Sequence, residues 1–514
     1  MTFKKLLKAI FILLIFATIG FVYLANRDIT KIYGGLTKRV EVSQFKAISD
    51  KIVFKNVSIL SADSASFVSK QNVTIDKGII VSINDEFQAS ENETVVDASG
   101  KYLVPGFSDT HVHLFKSPND LLLYVANGVT QVRELIGEED HLSWKAEIEN
   151  GRLGPDLFVA SPRIGSFDSV GGFFMEWSQG FLNINNADDA VTEVKRLHRQ
   201  GYDAVKIYSQ INRETYFAVS KTAKSLGMKV IGHIPWAVEM TEIYSYHDSV
   251  AHLEELMNAL NREFGKTIET RTYTTQTADQ FLEYVANNND KLAIKLSEKG
   301  IAVSTTLWLV ESFVRQKFEL TKILSEVELA YENPGISEWT PNVPEGGLGW
   351  LPGVNRYAQP GEITEEEAAA RRKYWQTYAK ACQMILMSLI RHGVDIMTGT
   401  DANLPPTVPG FSLHDEFISL NKAGMSAAHI LKATTQSPAK WLGTNTGQVA
   451  EGFKANLVLL DKDPLIDIRH TKSINSVVVN GKLLDRTALD NILASVKTAN
   501  DFSRTRDIRH LQSK

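Results

Sequence analysis

Hydrophobic and polar positions divide this chain into four textures. The first is an apolar run from Ala9 to Ala25, preceded by Lys4, Lys5 and Lys8 and closed by Asn26-Arg27. Next come short β-like runs between residues 52 and 104: Ile52-Val-Phe54, Val57-Ser-Ile-Leu60, Val73-Thr-Ile75, Ile79-Ile-Val-Ser-Ile83 and Thr94-Val-Val96. Lys77-Gly78 and Ser99-Gly100 supply the tight turns between them. A long alternation of strand-like and helix-like segments follows, and then β-texture returns in Asn456-Leu-Val-Leu-Leu460 and Ser476-Val-Val-Val-Asn480.

The middle alternation predicts strands over 104–113, 129–134, 157–161, 204–208, 230–234, 249–253, 302–307 and 395–401, separated by helices. One helix is expected from Thr364, which forms a capping box with Glu367, to about residue 390, and another over 278–296. Eight parallel strands with crossover helices predict an α/β fold of the (β/α)₈ barrel type. The segment 310–360 is too long for a simple loop, and its Pro, Gly, Trp and Tyr content predicts an ordered lid or substrate loop.

About 17 apolar residues at 9–25 lie between a signal-peptide core and a minimal membrane span. Tyr23 spoils a small-x-small cleavage site, so the reading is a retained signal anchor, residues 1–27, rather than a cleaved signal peptide. The lysines would stay cytoplasmic and the bulk of the chain would lie outside, a membrane-anchored or exported location. Arg27, Lys31, Lys38 and Arg39 on the far side oppose that orientation. With no cysteine after the run, a lipoprotein anchor is excluded.

Composition narrows the function. The chain has 514 residues, 43% of them hydrophobic, enough for a large core, and its net charge of −5 leaves no electrostatic footprint for nucleic acid. Its single cysteine, Cys382, rules out an internal disulfide framework. Any metal site must therefore be built from His, Asp, Glu or Lys.

Candidate chemistry collects at the predicted strand ends, where a barrel of this type carries its site. His111 and His113, one residue apart, share a strand face with Asp109. Lys206 sits between apolar residues in the fourth strand, costly unless paired or uncharged. His233, His252 and Asp401 end the fifth, sixth and eighth strands. Together these residues read as a metal site. Tyr208 shares a face with Lys206 and could meet a substrate carbonyl or carboxylate, or simply pack at the rim. Arg133 could take a substrate carboxylate, or pair with Glu134. Glu254 could meet a substrate amine, or start a helix. His141, His198, His392, His429, His470 and His510 are expected at the surface.

Several motifs resemble the amidohydrolase superfamily, in particular members related to imidazolonepropionase and to metal-dependent Xaa-Pro or Xaa-Arg dipeptidases. They include Pro105-Gly-Phe-Ser-Asp-Thr-His-Val-His113, Gly201-Tyr-Asp-Ala-Val-Lys-Ile-Tyr208, Gly232-His-Ile-Pro235, Gly399-Thr-Asp401 and Ala433-Thr-Thr-Gln-Ser-Pro-Ala439. The resemblance spans about residues 50 to 490. It implies a small composite β-sandwich from both flanks (50–104 and 446–490) around a barrel (105–445), followed by a C-terminal tail (491–514). It further implies that His111, His113 and Asp401 hold one divalent ion and His233 and His252 a second, most often Zn²⁺. Lys206, carbamylated by CO₂, would bridge them. A hydroxide shared by the two ions would attack an amide, peptide or cyclic amide carbonyl, with Asp401 as general base and then acid. Two alternatives stay open: a mononuclear deaminase or imidazolone-type hydrolase, and an ester, lactone or phosphotriester hydrolase. The expected partners are a small molecule or short peptide and the membrane, with homo-oligomerisation left open.

Overall fold

In the structure, a computed structural model, residues 3–48, 51–87, 93–265, 270–338, 349–355, 357–359 and 361–505 are described. Eight parallel strands form the barrel: β1 (Phe107–Val112), β2 (Val129–Glu134), β3 (Asp156–Gly165), β4 (Ala204–Ile207), β5 (Lys229–Gly232), β6 (Ser249–Ala251), β7 (Ala302–Ser304) and β8 (Ile396–Met397). Each pairs with its sequence neighbour, as the βα alternation requires. No regular ladder joins β1 to β8. Closure comes instead from single bonds: the Thr110 amide donates to Thr398 O at 2.9 Å and the Asp401 amide to His111 O at 2.8 Å.

Side-chain alternation sorts the strands. In β4, Val205 and Ile207 join the large core between strands and helices. Ala204 instead faces a small interior cluster with Leu135, Ala160, Ile231 and Ala251, and Lys206 shares its parity. These aliphatic side chains fill the narrow lumen on which the eight strands converge. Trp441 lies against this cluster, its indole N–H donating to Asp248 O at 3.0 Å.

The predicted first strand, 104–113, serves two sheets. Tyr102–Pro105 pairs with Leu457–Leu460 in a second sheet, built from Lys51–Leu60, Phe67–Asp76, Ile79–Asn84, Glu93–Asp97, Ile474–Val479 and Lys482–Leu484 as well. The exchange occurs at Gly106, where a Cβ would meet Thr130 Oγ1 at 2.1 Å. Its amide bonds to Asn456 O, and the next amide, of Phe107, to Gly128 O in the barrel. Both chain flanks thus reach one sheet, and the barrel stands between them.

The N-terminal helix, Phe3–Ile32, is long and apolar enough to cross a membrane, and its apolar stretch is not covered by the rest of the chain. The 310–360 segment carries the helices Leu307–Phe318, Leu320–Glu326 and Pro334–Ser337, its described residues after 348 form turns and bends, and 339–348, 356 and 360 lie outside the described residues. The first part of the expected C-terminal tail, 491–514, is helical. Helix Arg486–Ser503 buries Leu489, Ile492 and Val496, since its apolar positions recur at helical spacing, and 506–514 lie outside the described residues.

β4 and β5 approach most closely at Gly232, whose φ is +128° and whose added Cβ would lie 2.2 Å from Ile207 O. Gly232→Ala is expected to cost roughly 2–4 kcal/mol, read by urea unfolding; a loss under about 1 kcal/mol would show that this approach does not set the strand spacing.

Candidate metal centre

β1 delivers His111 and His113 to the C-terminal end of the barrel, their rings edge to face at 5.1 Å. Asp401 Oδ1 lies 3.2 Å from His111 Nε2 and 2.7 Å from His113 Nε2. His252 Nε2 is 4.0 Å from Asp401 Oδ2, and its ring is tilted over that of His111 at 4.1 Å. One ligand atom each from His111, His252 and Asp401 fall within 4.8 Å of one another, close enough to belong to one metal centre. His233 adjoins the group, its ring centre 5.3 Å from that of His252.

Two of these residues sit in backbone conformations that L-residues avoid. φ is +72° at His252 and +62° at Asp401. Each costs on the order of 1–2 kcal/mol, so surrounding bonds must hold them. The Asp401 amide is held by His111 O. His252 Nδ1 lies 2.9 Å from Thr306 Oγ1, which fixes the ring and leaves Nε2 to face Asp401. His233 Nδ1 lies 2.8 Å from Ser209 Oγ and 3.3 Å from Glu255 Oε1, and Glu255 also accepts the Ile234 amide at 2.9 Å.

Asp109 faces inward with the histidines but is occupied structurally. It accepts from Thr400 Oγ1 at 2.6 Å and from the Thr400 amide at 3.1 Å, tying β1 to the turn after β8. Burial pushes its carboxyl up to about 7. Glu134 accepts the amides of Leu114 and Ile136 at 2.5 and 2.6 Å and so shapes the loop after β1.

Electrostatics favour the neutral and anionic forms that a cation needs. Burial lowers His252 to about 4, and it holds His111 and His233 well below the ordinary imidazole range. Burial alone would raise Asp401, but the His252 and His113 imidazoles and Lys206 outweigh it, leaving the carboxyl at about 2. Lys206 is 2% exposed. Burial, with Arg133 and Arg163 adding and Asp401 and Glu255 opposing, brings its amine down to about 7. Among the described residues, both ring nitrogens of His111, His113 Nδ1, Lys206 Nζ and Asp401 Oδ1 are buried without a hydrogen-bond partner. Orphaned donors and acceptors of this kind cost about 1–3 kcal/mol each, and a bound cation would satisfy them. All are nitrogen or oxygen, a set suited to Zn²⁺ or a similar first-row ion.

The remaining candidates separate. Tyr208 lies half-buried at the rim, its ring 4.5 Å from that of His233 and 5.0 Å from that of Phe181. Glu254 is half-buried, its carboxyl raised to about 8 by burial and by Glu255 and Asp401, with no ion pair among the described residues. Arg133 neither faces the mouth nor pairs with Glu134. Its Nε donates to Thr110 O at 2.7 Å, and its guanidinium lies 4.6 Å from the Trp441 ring. The cation at the rim is Arg163, paired in register with Lys206 and 5.7 Å from the Tyr208 ring. It escaped sequence reading because β3 runs four residues past the predicted end at Ser161. Two other supports were also missed. His141 is buried rather than exposed, its Nε2 2.6 Å from Phe115 O, and His247 Nε2 lies 3.2 Å from His233 O.

Residues 377–484, from the helix before β8 into the second sheet, match the model of the amidohydrolase family. The chain is 21% identical to a 5'-deoxyadenosine deaminase of Methanococcus maripaludis over 451 residues, covering 83% of this chain and 93% of that protein. Among solved structures it resembles a bottromycin amidohydrolase, with a TM-score of 0.63, 20% identity, and coverage of 88% of this chain and 90% of the other. A putative prolidase from Bifidobacterium longum gives a TM-score of 0.60 at 18% identity, covering 87% and 99%. The C-terminal part of the chain thus carries an amidohydrolase family match, and the chain as a whole shares the fold of these solved enzymes.

Proposed function

We propose that this protein is a metal-dependent hydrolase of an amide, peptide or cyclic amide C–N bond. The observation that carries the reading is the set of buried, unpartnered donor atoms of His111, His113, Lys206 and Asp401 beside His233 and His252. His111, His113 and Asp401 would hold one divalent ion, His233 and His252 a second, and Lys206, as its carbamate, would join both sites. When bound, such ions polarise a carbonyl and bring the pKa of water toward neutrality. Asp401, kept ionised, takes the proton from the attacking water and passes it to the leaving nitrogen. Arg163 and Tyr208 would take a substrate carboxylate, and Glu254 would pair with a substrate amine.

A deaminase reading, raised by the name of the Methanococcus maripaludis relative, gives the buried Lys206 no task. Its neutral-leaning amine supports the bridged, two-ion reading. The N-terminal helix supports a membrane anchor, and the lysines before its apolar run would leave the barrel outside the cytoplasm.

Metal-reconstituted protein screened against dipeptides, N-acyl amino acids and lactones should hydrolyse an amide best. Asp401→Asn should lower its kcat by about 10²–10⁴-fold; wild-type turnover in that variant would sink the mechanism. Elemental analysis should find two ions per chain and none in Lys206→Ala, whereas one retained ion would reject the bridged centre.

The pH dependence has a definite sign. The folded Lys206 pKa, about 7, lies below the ordinary 10.5, so the neutral amine needed for carbamylation accumulates as pH rises through about 7. Metal uptake with bicarbonate present should rise across that range. In Lys206→Glu, which supplies a carboxylate directly, the inflection near 7 should vanish.

A further inference from the structure

The N-terminal helix joins the barrel beside the metal centre. Just past its last turn, Tyr33 O accepts the Lys116 amide at 2.9 Å, and the Tyr33 ring lies 5.0 Å from that of Phe115. The Phe115 ring is in turn 5.8 Å from His113. A second element meets the same helix base. Trp177 Nε1 donates to Asn26 Oδ1 at 2.7 Å, and Tyr33 Oη donates to Ser178 O at 3.1 Å. Both come from helix Ser169–Gln179, which follows β3 and so stands on the mouth side of the barrel.

That helix exposes apolar side chains where a water-facing helix would carry charge. Val170, Phe173 and Phe174 are 67%, 61% and 52% exposed, and Glu176 is its only charged residue. The Phe173 ring contacts those of Phe174 and Trp177 at 5.6 and 6.2 Å, so the surface is continuous. Trp236, 64% exposed, lies at the same end of the barrel in the loop after β5, its amide donating to Ser209 O at 2.9 Å. Scattered exposed apolar residues are ordinary, but a clustered aromatic surface marks a contact. Its occupant follows from position. Asn26, the partner of Trp177, is the residue that ends the apolar run, so the aromatic helix lies level with the end of the only described helix suited to lipid. Trp concentrates at that depth, and Phe lines the lipid-facing side of helices that lie there.

We infer that the mouth of the barrel faces a lipid bilayer, with helix Ser169–Gln179 and Trp236 seated in the headgroup region, and that the substrate is an amphiphilic amide with a long apolar chain drawn from the membrane. The orientation stands on these contacts alone; the substrate class rests on the hydrolase reading proposed above.

Full-length protein in phosphatidylcholine–phosphatidylglycerol vesicles, nitroxide-labelled at Phe174→Cys or Ser225→Cys, tests the orientation. Ser225 is exposed at the C-terminal end of helix Arg213–Ser225, on the opposite barrel face, and the native Cys382 is buried. The label at 174 should be open to oxygen and shielded from a water-soluble nickel chelate, with the reverse at 225. Equal aqueous exposure at both sites would overturn the orientation. In the double variant Phe173→Ser/Phe174→Ser, the ratio of kcat/KM for a long-chain over a short-chain N-acyl amino acid should fall about tenfold. An unchanged ratio would overturn the substrate class. A shielded label in protein that hydrolyses no amide would support the orientation and sink the hydrolase reading.

Discussion

Placing imidazoles, a carboxylate and an amine side by side out of water costs several kcal/mol for every group left charged or unpaired. His111, His113, Lys206, His252 and Asp401 accept that arrangement within one small volume, and the barrel around them is arranged to keep it from relaxing. Aliphatic side chains in the lumen, with Trp441 against them, fill the space below the site. The left-handed backbone at His252 and Asp401 is held by partners on neighbouring strands and turns. A flexible scaffold would let Asp401 turn to solvent and Lys206 find a carboxylate.

Much of the chain's polar side-chain bonding near the mouth serves this constraint rather than chemistry. Asp109 and Glu134 are buried carboxylates spent on the Thr400 turn and on the Leu114 and Ile136 amides. Ser209 and Glu255 set the His233 ring, Thr306 that of His252, and His141 braces the loop that follows His113. The same loop receives the end of the N-terminal helix through Tyr33, so the segment suited to a membrane and the metal centre share a support.

How far the site was legible follows from the locality of each signal. Lys206 between Val205 and Ile207 is visible in one strand, because alternation alone says that it faces away from the apolar layer. His233 and His252 directly follow strands whose apolar runs stop at them. Arg163 was hidden because Pro162 looks like a strand end, yet β3 continues through it to Gly165. Arg133 was misplaced for the opposite reason. Its strand was read correctly, but parity does not say whether an inward side chain points up to the mouth or down toward Trp441. His141 and His247 are held by backbone carbonyls distant in sequence, which no local pattern encodes.

The eight-strand alternation, the β-rich flanks, the apolar N-terminal run and the strand-end histidines and aspartate are properties of short windows, set by side-chain period and hydrophobicity, and the sequence alone determined them. Tertiary structure decided what depends on distance between windows. It assigned residues 102–105 to the second sheet and those after Gly106 to the barrel. It turned Arg133 inward, brought Arg163 to the rim, and set the aromatic helix level with Asn26. The physical reason is that periodicity fixes which face a side chain takes, whereas its partner depends on closing loops of a hundred residues or more, a choice made by packing.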